Sequence, residues 1–324
     1  MNMSLKSLAR LSEEEAWLLL EELRWGDKPI CPHCGSDEKA YFLNPQSGYR
    51  TTSRGKKTYR RVWKCKACRK QFSVLVGTIF HGTHLELSTW LMAIRMMCQG
   101  KNGVSAHELH RSLDISYQTA WFMCHRIREA MKRPPLVDKL RGVVEADETY
   151  IGGKPRVGQI KNTRDRGRWH YENKTGVATL VERGGEARSF HLGWITGSGL
   201  HGVLNENVDK ANTRLMTDGR VQYRTIGREF PSHEWVDHSK DEYVRGDVTS
   251  NTVEGYFAQL KSSLDGTYHH VSKQHLQRYL HEFDYRYTTR KLTDGERVER
   301  TIRQSEGRRL RYRQPRDSEA EALA

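Results

Sequence analysis

No run of apolar residues in this chain of 324 comes near the roughly 18 that would span a bilayer. The first residues offer no apolar core of a secretory leader either, because Lys6, Arg10, Glu13, Glu14, Glu15, Glu21 and Glu22 interrupt the leucines. A chain that is neither secreted nor inserted in a membrane is expected. Hydrophobic residues are scarce, at 36%, which leaves room for extended basic arms. Aromatics are not scarce: 8 Trp, 14 Tyr and 8 Phe argue against a disordered chain. Acid is the other shortage. There are 40 Asp and Glu against 54 Lys and Arg, a net charge of +14, and from Lys39 to Leu85 eleven Lys and Arg stand without one carboxylate. Such an excess needs a polyanionic partner, and nucleic acid is the commonest.

Six cysteines are present, and four form two pairs, Cys31-Pro32-His33-Cys34 and Cys65-Lys66-Ala67-Cys68. Without a leader, such pairs read as metal ligands rather than disulfides. Four thiolates fill a tetrahedral zinc shell and leave no open position, so the metal is expected to be structural and His33, His81 and His84 are not needed as ligands. Val62-Trp63-Lys64 and Gln71 to Val76 look like short strands, which makes the segment a zinc ribbon. A redox pair is the other meaning of such cysteines. Cys98 and Cys124 lie among apolar helical neighbours and are expected in the core.

Leu5 to Trp25 has the pattern of an amphipathic helix, with Ser12 and Glu15 placed as a capping box. Ser88 to Cys98 reads as a further helix. Val104 to Leu113 and Tyr117 to Arg128, joined by Asp114-Ile115-Ser116, have the layout of a helix-turn-helix, with an ordinary helical bundle as the other possibility. Pro134-Pro135 then breaks the chain and marks a domain boundary.

Beyond it the pattern changes to strands. Gly142 to Gly153 contains Glu145, Asp147 and Glu148; Gly176 to Glu182 and Ala187 to Trp194 flank a Gly184-Gly185 turn; Gly199 to Val208 suits a helix; Thr213 to Thr217 runs into Asp218-Gly219. Asn251 to Leu264 and His275 to Arg290 complete the order as helices. Clustered acids of this kind suit phosphoryl transfer by two divalent ions held about 3.5–4 Å apart.

These residues carry a resemblance. Cys31-Pro32-x-Cys34, Glu145-Ala146-Asp147-Glu148-Thr149-Tyr150-Ile151-Gly152-Gly153, Thr217-Asp218-Gly219, Asn251-Thr252-Val253-Glu254-Gly255 and Gly266 to Ser272 are similar to the zinc-ribbon, ISXO-like branch of the DDE insertion-sequence transposases, over roughly residues 25 to 290. The resemblance implies an RNase H-like catalytic domain, a mixed sheet with helices, and Mg²⁺-dependent cutting and joining of transposon ends, with Mn²⁺ able to substitute. It makes Asp147 and Asp218 the first two carboxylates. For the third, the family uses Glu or Asn, so Glu254 and Asn251 both stand. Val253, Phe257, Leu260 and Leu264 form the apolar stripe of that helix; Glu254 and Lys261 lie on its margin and Asn251 further out, which favours Glu254. A capping box of Asn251 with Glu254 is the structural alternative. Lys261 would contact substrate phosphate. Glu145, Glu148 and Asp247 compete as acids, and His269 and His270 follow the helix.

The expected organisation is therefore an N-terminal helix at 1–27, a zinc ribbon at 28–84, a helix-turn-helix region at 85–133, a catalytic domain at 140–290 with a basic loop at 154–174, and a basic tail at 291–324. Expected zinc ligands are Cys31, Cys34, Cys65 and Cys68; expected magnesium ligands are Asp147, Asp218 and Glu254. Candidate DNA contacts are Arg60, Arg61, Lys64, Lys66, Tyr117, Gln118, Thr119 and Arg126. The partners would be double-stranded DNA, both terminal repeats and target, and further copies of the chain, with no membrane or small-molecule substrate and a place at the nucleoid in the cytoplasm. A DNA-binding regulator without catalysis, or a nuclease that cuts without joining, are the other function classes.

Overall fold

The structure, a computed structural model, describes residues 3–38, 40–43, 49–51, 53, 55, 57–134, 138–153, 174–237 and 240–311. The expected basic loop at 154–174, all but Lys174, and the chain beyond 311 lie outside the described residues. Two compact units form: Met1–Met131 with Leu292–Ala324, and Lys132–Lys291.

The first unit opens with α1 (Leu5–Leu8) and α2 (Glu13–Trp25). The single helix expected from Leu5 is two, because Ser12 takes extended backbone and restarts the helix as an N-cap. Its hydroxyl accepts from Glu15 N, and the Glu15 carboxylate accepts from Ser12 N at 2.8 Å. Trp17, Leu19, Leu20 and Leu23 are buried from α2, while Leu18 is exposed. Five short strands follow: β1 (Ala40–Phe42), β2 (Tyr49–Thr51), β3 (Lys57–Tyr59), β4 (Trp63–Cys65) and β5 (Gln71–Phe72). β4 pairs antiparallel with β1 and β5, and β2 with β3. Sheets this small cannot close a core alone. Here Trp25, Trp63 and Phe72 gather edge-to-face around Cys31 and Cys65.

α3 (Leu87–Cys98), α4 (Ala106–Leu113) and α5 (Tyr117–Met131) follow. Cys98 and Cys124 are buried in them, as expected of core thiols. The last described helix, α10 (Asp294–Arg303), returns to this unit and packs on α2, α3 and α5. Val298 and Ile302 have no exposed surface. The stretch expected to begin a basic tail thus begins as a capped helix, with Thr293 and Glu296 reciprocally bonded.

The second unit is one five-stranded sheet with helices on both faces. Its elements are β6 (Leu140–Ile151), β7 (Thr175–Glu182), β8 (Ala187–Gly193), α6 (Gly197–Asn207), β9 (Val208–Asp218), α7 (Val221–Ile226), β10 (Ser232–Val236), α8 (Asn251–Ser263) and α9 (Lys273–Thr288). Strand order is β10-β9-β6-β7-β8, with β9 parallel to both β6 and β10 and the β6-β7-β8 meander antiparallel. Gly184 turns that meander at φ 77°, which a side chain would disfavour. Alternation along the strands divides the core. Val144, Ala146, Ala178, Leu180 and Leu215 pack with Leu200 and Leu204 of α6 and Tyr223 of α7. Val177 and Val181 pack with Val253, Phe257 and Leu260 of α8 and Leu280 and Phe283 of α9. An RNase H-like topology results, with the first and fourth strands of the unit side by side at its centre.

Candidate active site and zinc centre

The four paired cysteines converge. Cys31, Cys34, Cys65 and Cys68 hold their sulfurs within 4.8 Å of one another, and the Cys31–Cys68 and Cys34–Cys65 Sγ separations are both 3.7 Å. A tetrahedron of thiolates at about 2.3 Å from zinc has edges of about 3.8 Å. The donor set therefore fits Zn²⁺ in both chemistry and size. Gly35, at φ 72°, closes the first knuckle.

The basic residues of this unit are not equivalent. Arg60 and Lys66 are exposed and Lys64 is half-buried. Arg61 is committed locally, donating from Nε to Glu21 at 2.8 Å and lying over the Phe42 ring. In the α4–α5 pair, Asp114 turns the chain at φ 51°, and Ser116 accepts from Thr119 N at 3.2 Å. Tyr117 and Gln118 stand exposed at the start of α5, and Thr119 is half-buried. Arg126 requires a correction. Expected at the surface as a DNA contact, it is only 6% exposed. Its Nη2 donates to the His81 carbonyl at 2.7 Å and its guanidinium stacks on Trp90 and Phe122. Burial, with the Arg309 charge nearby, lowers its pKa to about 10. It holds the His81 loop to α5 and is not placed to reach a phosphate itself.

In the second unit the site is built by strand register. Ala146 on β6 lies opposite Thr217 on parallel β9, so the next residues, Asp147 and Asp218, come together at the same end of the sheet. Asp147, Glu148 and Asp218 offer carboxylate oxygens within 4.8 Å of one another. Three such charges repel, and the structure shows what offsets them. Asp147 Oδ1 accepts from Glu148 N at 2.7 Å, and Arg220 Nε reaches Asp218 at 3.1 Å and also pairs with Glu148. Burial, then the charges of Glu148 and Asp218, push the Asp147 carboxyl up to about 7. Hard oxygens at this spacing, with a proton retained in the absence of a cation, suit a divalent ion such as Mg²⁺.

Glu148 differs from its neighbours. Its side chain has no exposed surface, and it accepts from the buried Tyr223 hydroxyl at 2.7 Å as well as from Arg220. Burial raises its pKa. Both of its oxygens are thus engaged from behind the site, which suits it to holding Arg220 and its neighbours in place. Strand alternation puts Glu148 on the face opposite Asp147, and it is on that face that Tyr223 meets it. Arg220 and Tyr223 carried no motif, and only their position just after Asp218-Gly219 could have drawn attention to them.

Glu145 shares the Asp147 face and does a different job. Fully buried, it pairs with Arg183 Nε at 2.6 Å and accepts from the backbone N–H groups of Thr252 and Val253 at 2.8 and 3.0 Å. A strand carboxylate thereby caps α8, where it also meets the positive end of the helix dipole. The capping box expected as the alternative for Asn251 and Glu254 is absent: Ser250 is the N-cap residue, Asn251 is exposed, and Glu254 accepts from the Ser250 hydroxyl at 2.8 Å. Docking on Glu145 sets the first turn of α8, with Glu254, over the sheet face that carries Asp147. Glu254 is outside the group of acids within 4.8 Å of one another. Lys261 is exposed two turns on, and His269 and His270 are exposed. Asp247, the other competing acid, is paired with Arg214.

The model of the ISXO2-like transposase domain matches residues 139–288, and that of a transposase zinc-ribbon domain matches residues 11–71. Both matches are to domains of zinc-ribbon, ISXO2-like transposases, the family that the sequence resembles. A relative in the transposable element ISH50 of Halobacterium salinarum, described as an uncharacterized protein, is 29% identical over 286 residues, covering 85% of this chain and 91% of its own. The two matches cover the two side-chain clusters described above. The zinc-ribbon match holds Cys31, Cys34, Cys65 and Cys68, and the DDE-domain match holds the clustered Asp147, Glu148 and Asp218, with Glu254 further along it. Among the described residues, no helix is long and apolar enough to cross a membrane.

Proposed function

We propose that this chain is a DNA transposase that cuts the ends of its element to free a 3′-OH and joins that hydroxyl to target DNA. The observation that carries the reading is the meeting of Asp147 and Asp218 at neighbouring ends of parallel strands, with a carboxyl that keeps its proton near neutrality when no cation is present. Asp147 and Asp218 would hold divalent cations, and Glu254, set over the same face by the Glu145 cap, would be the third ligand. Magnesium, when bound, supplies activation of the attacking oxygen and stabilisation of the leaving one. The chain does the rest. Arg220 keeps Asp218 and Glu148 apart in charge, Tyr223 fixes Glu148, and Lys261 stands exposed on α8 to meet a phosphate. A negative site faces a polyanion only when cations reverse its charge. Zinc in the ribbon is structural, and DNA is bound through the first unit, with Arg60, Lys64, Lys66, Tyr117, Gln118 and Thr119 as contacts. Work on two ends at once implies more than one copy on DNA.

The test is a strand-transfer assay with labelled DNA ending in the element's own repeats, in Mg²⁺ or Mn²⁺. Wild type should give joined products, lost in Asp147→Asn and in Asp218→Asn. Comparison of Glu254→Gln with Asn251→Ala then names the third ligand, and Glu254→Gln is expected to fail. Binding without cleavage in either metal would favour the non-catalytic regulator, and cleavage without joining the nuclease.

A further inference from the structure

The returning C-terminal segment lies against the basic side of the first unit. After α10, Ser305 and Leu310 are buried, and Arg308 Nη1 donates to the carbonyls of Glu129 and Ala130 at 2.7 and 3.1 Å. Those carbonyls lie one turn along α5 from Arg126, which is itself bonded to the His81 carbonyl. The segment is therefore pinned beside the His81 loop. His81 also lines a cleft with Arg60, Arg61, Gln71 and Thr83. Arg60 and Arg61 of the ribbon thus share a cleft with the His81 loop, and the segment after α10 is pinned to α5 close to that same loop.

Among the described residues, no carboxylate compensates the charges of Arg309 and Arg311. Arg309 is exposed and Arg311 half-buried, and among the described residues neither has a hydrogen bond or an ion pair. Burial and the charges of Arg309, Arg126 and Arg311 depress the His81 imidazole, and among the described residues no carboxylate acts on it in the opposite sense. Crowded cations cost stability unless a partner supplies negative charge. Nearby acids are spent elsewhere: Glu306 pairs with Arg24, and Glu129 lies toward Arg308.

We infer that Arg309 and Arg311, held close to the His81 loop, extend a phosphate-binding track on the first unit, so that the ribbon and the segment after α10 build one DNA-backbone surface. The inference rests on the transposase reading, in which this unit binds DNA. α10 is the device that makes it possible, because its buried Val298 and Ile302 anchor the segment that carries the arginines. Phosphate contact is independent of sequence, so the track should set affinity and register rather than recognition of the terminal repeat.

The test uses the full-length, zinc-loaded chain and two duplexes of equal length, one carrying the element's end and one of random sequence. Affinity is measured across a salt series for wild type, for the double variant Arg309→Ala/Arg311→Ala, for Arg309→Lys/Arg311→Lys, and for Arg228→Ala, which removes one exposed charge from the second unit. The Ala pair should lose roughly tenfold or more on both duplexes at physiological salt, and its salt dependence should flatten by about 1 in slope for each phosphate no longer neutralised. The Lys pair should hold most of the affinity, which separates lost charge from a damaged fold. Unchanged affinity and slope in the Ala pair, or a loss no larger than that of Arg228→Ala, would overturn the inference. Failure of wild type to bind either duplex would instead overturn the transposase reading beneath it.

Discussion

Asp147 is expected to cost the cation-free protein stability, and the cost can be worked out. Its carboxyl is held at about 7 against an ordinary 3.8, first by burial and then by Glu148 and Asp218. The native chain therefore keeps a proton that the unfolded chain releases. Stability contributed by this group is complete below pH ~4 and falls as pH rises to about 7. A difference near three pH units corresponds to at most about 4 kcal/mol, and partial exposure and relaxation bring a realistic figure to about 1–3 kcal/mol. Asp147→Asn removes the ionisation and keeps the shape. Scanning calorimetry without magnesium, zinc retained, should find the variant more stable at pH 8, with the gap about 1–2 kcal/mol wider there than at pH 5.5. For a unit of this size that widening is a shift of roughly 2–8 °C. Added Mg²⁺ should close the gap by stabilising only the wild type. A gap that is flat or narrows with rising pH would refute the argument, because it would mean that Asp147 ionises freely in the fold.

Three further outcomes follow from particular contacts. Arg183→Ala strands the buried Glu145 carboxylate, so the second unit should lose about 3 kcal/mol in denaturant unfolding, and Glu145→Gln in the same background should recover part of it. Tyr223→Phe removes one hydrogen bond to Glu148; about 1–2 kcal/mol of stability should be lost, with slower cleavage and unchanged affinity for DNA in binding assays. Removing zinc with a chelator, or replacing Cys65 by Ser, should unfold the ribbon in near-ultraviolet circular dichroism and abolish DNA binding while leaving the second unit's melting transition in place.

Local chemistry was the part of this molecule open to a reader of its sequence. Cysteine spacing, the Ser12–Glu15 capping box and the Gly184-Gly185 turn each act within a few residues, and each is found where its pattern lies. The strands carrying Asp147 and Asp218 were also legible, because apolar alternation surrounds both acids. What escaped depends on distant partners. Glu145 caps a helix 107 residues away, which no local pattern encodes. β10 was missed because Ser232-His233-Glu234-Trp235 is largely polar; as an edge strand it is held by pairing with β9, and Glu234 is satisfied by Arg214. Arg126 was expected outside because arginine usually is, but two aromatic faces and a carbonyl make a pocket for it. α10 was hidden by its charge: with Val298 and Ile302 as its main apolar anchors, its arginines read as a solvated tail.

The central claim, that Asp147 and Asp218 act by holding divalent cations during DNA cleavage, is tested most directly by changing the metal preference of the site. Asp147→Cys and Asp218→Cys would each replace a hard oxygen by a soft sulfur, which binds Mg²⁺ poorly and Mn²⁺ or Cd²⁺ better. End cleavage by each variant is measured in the three metals beside wild type. The account predicts loss in Mg²⁺ with recovery in the softer ions; cleavage by both variants at the wild-type rate in Mg²⁺ would contradict it.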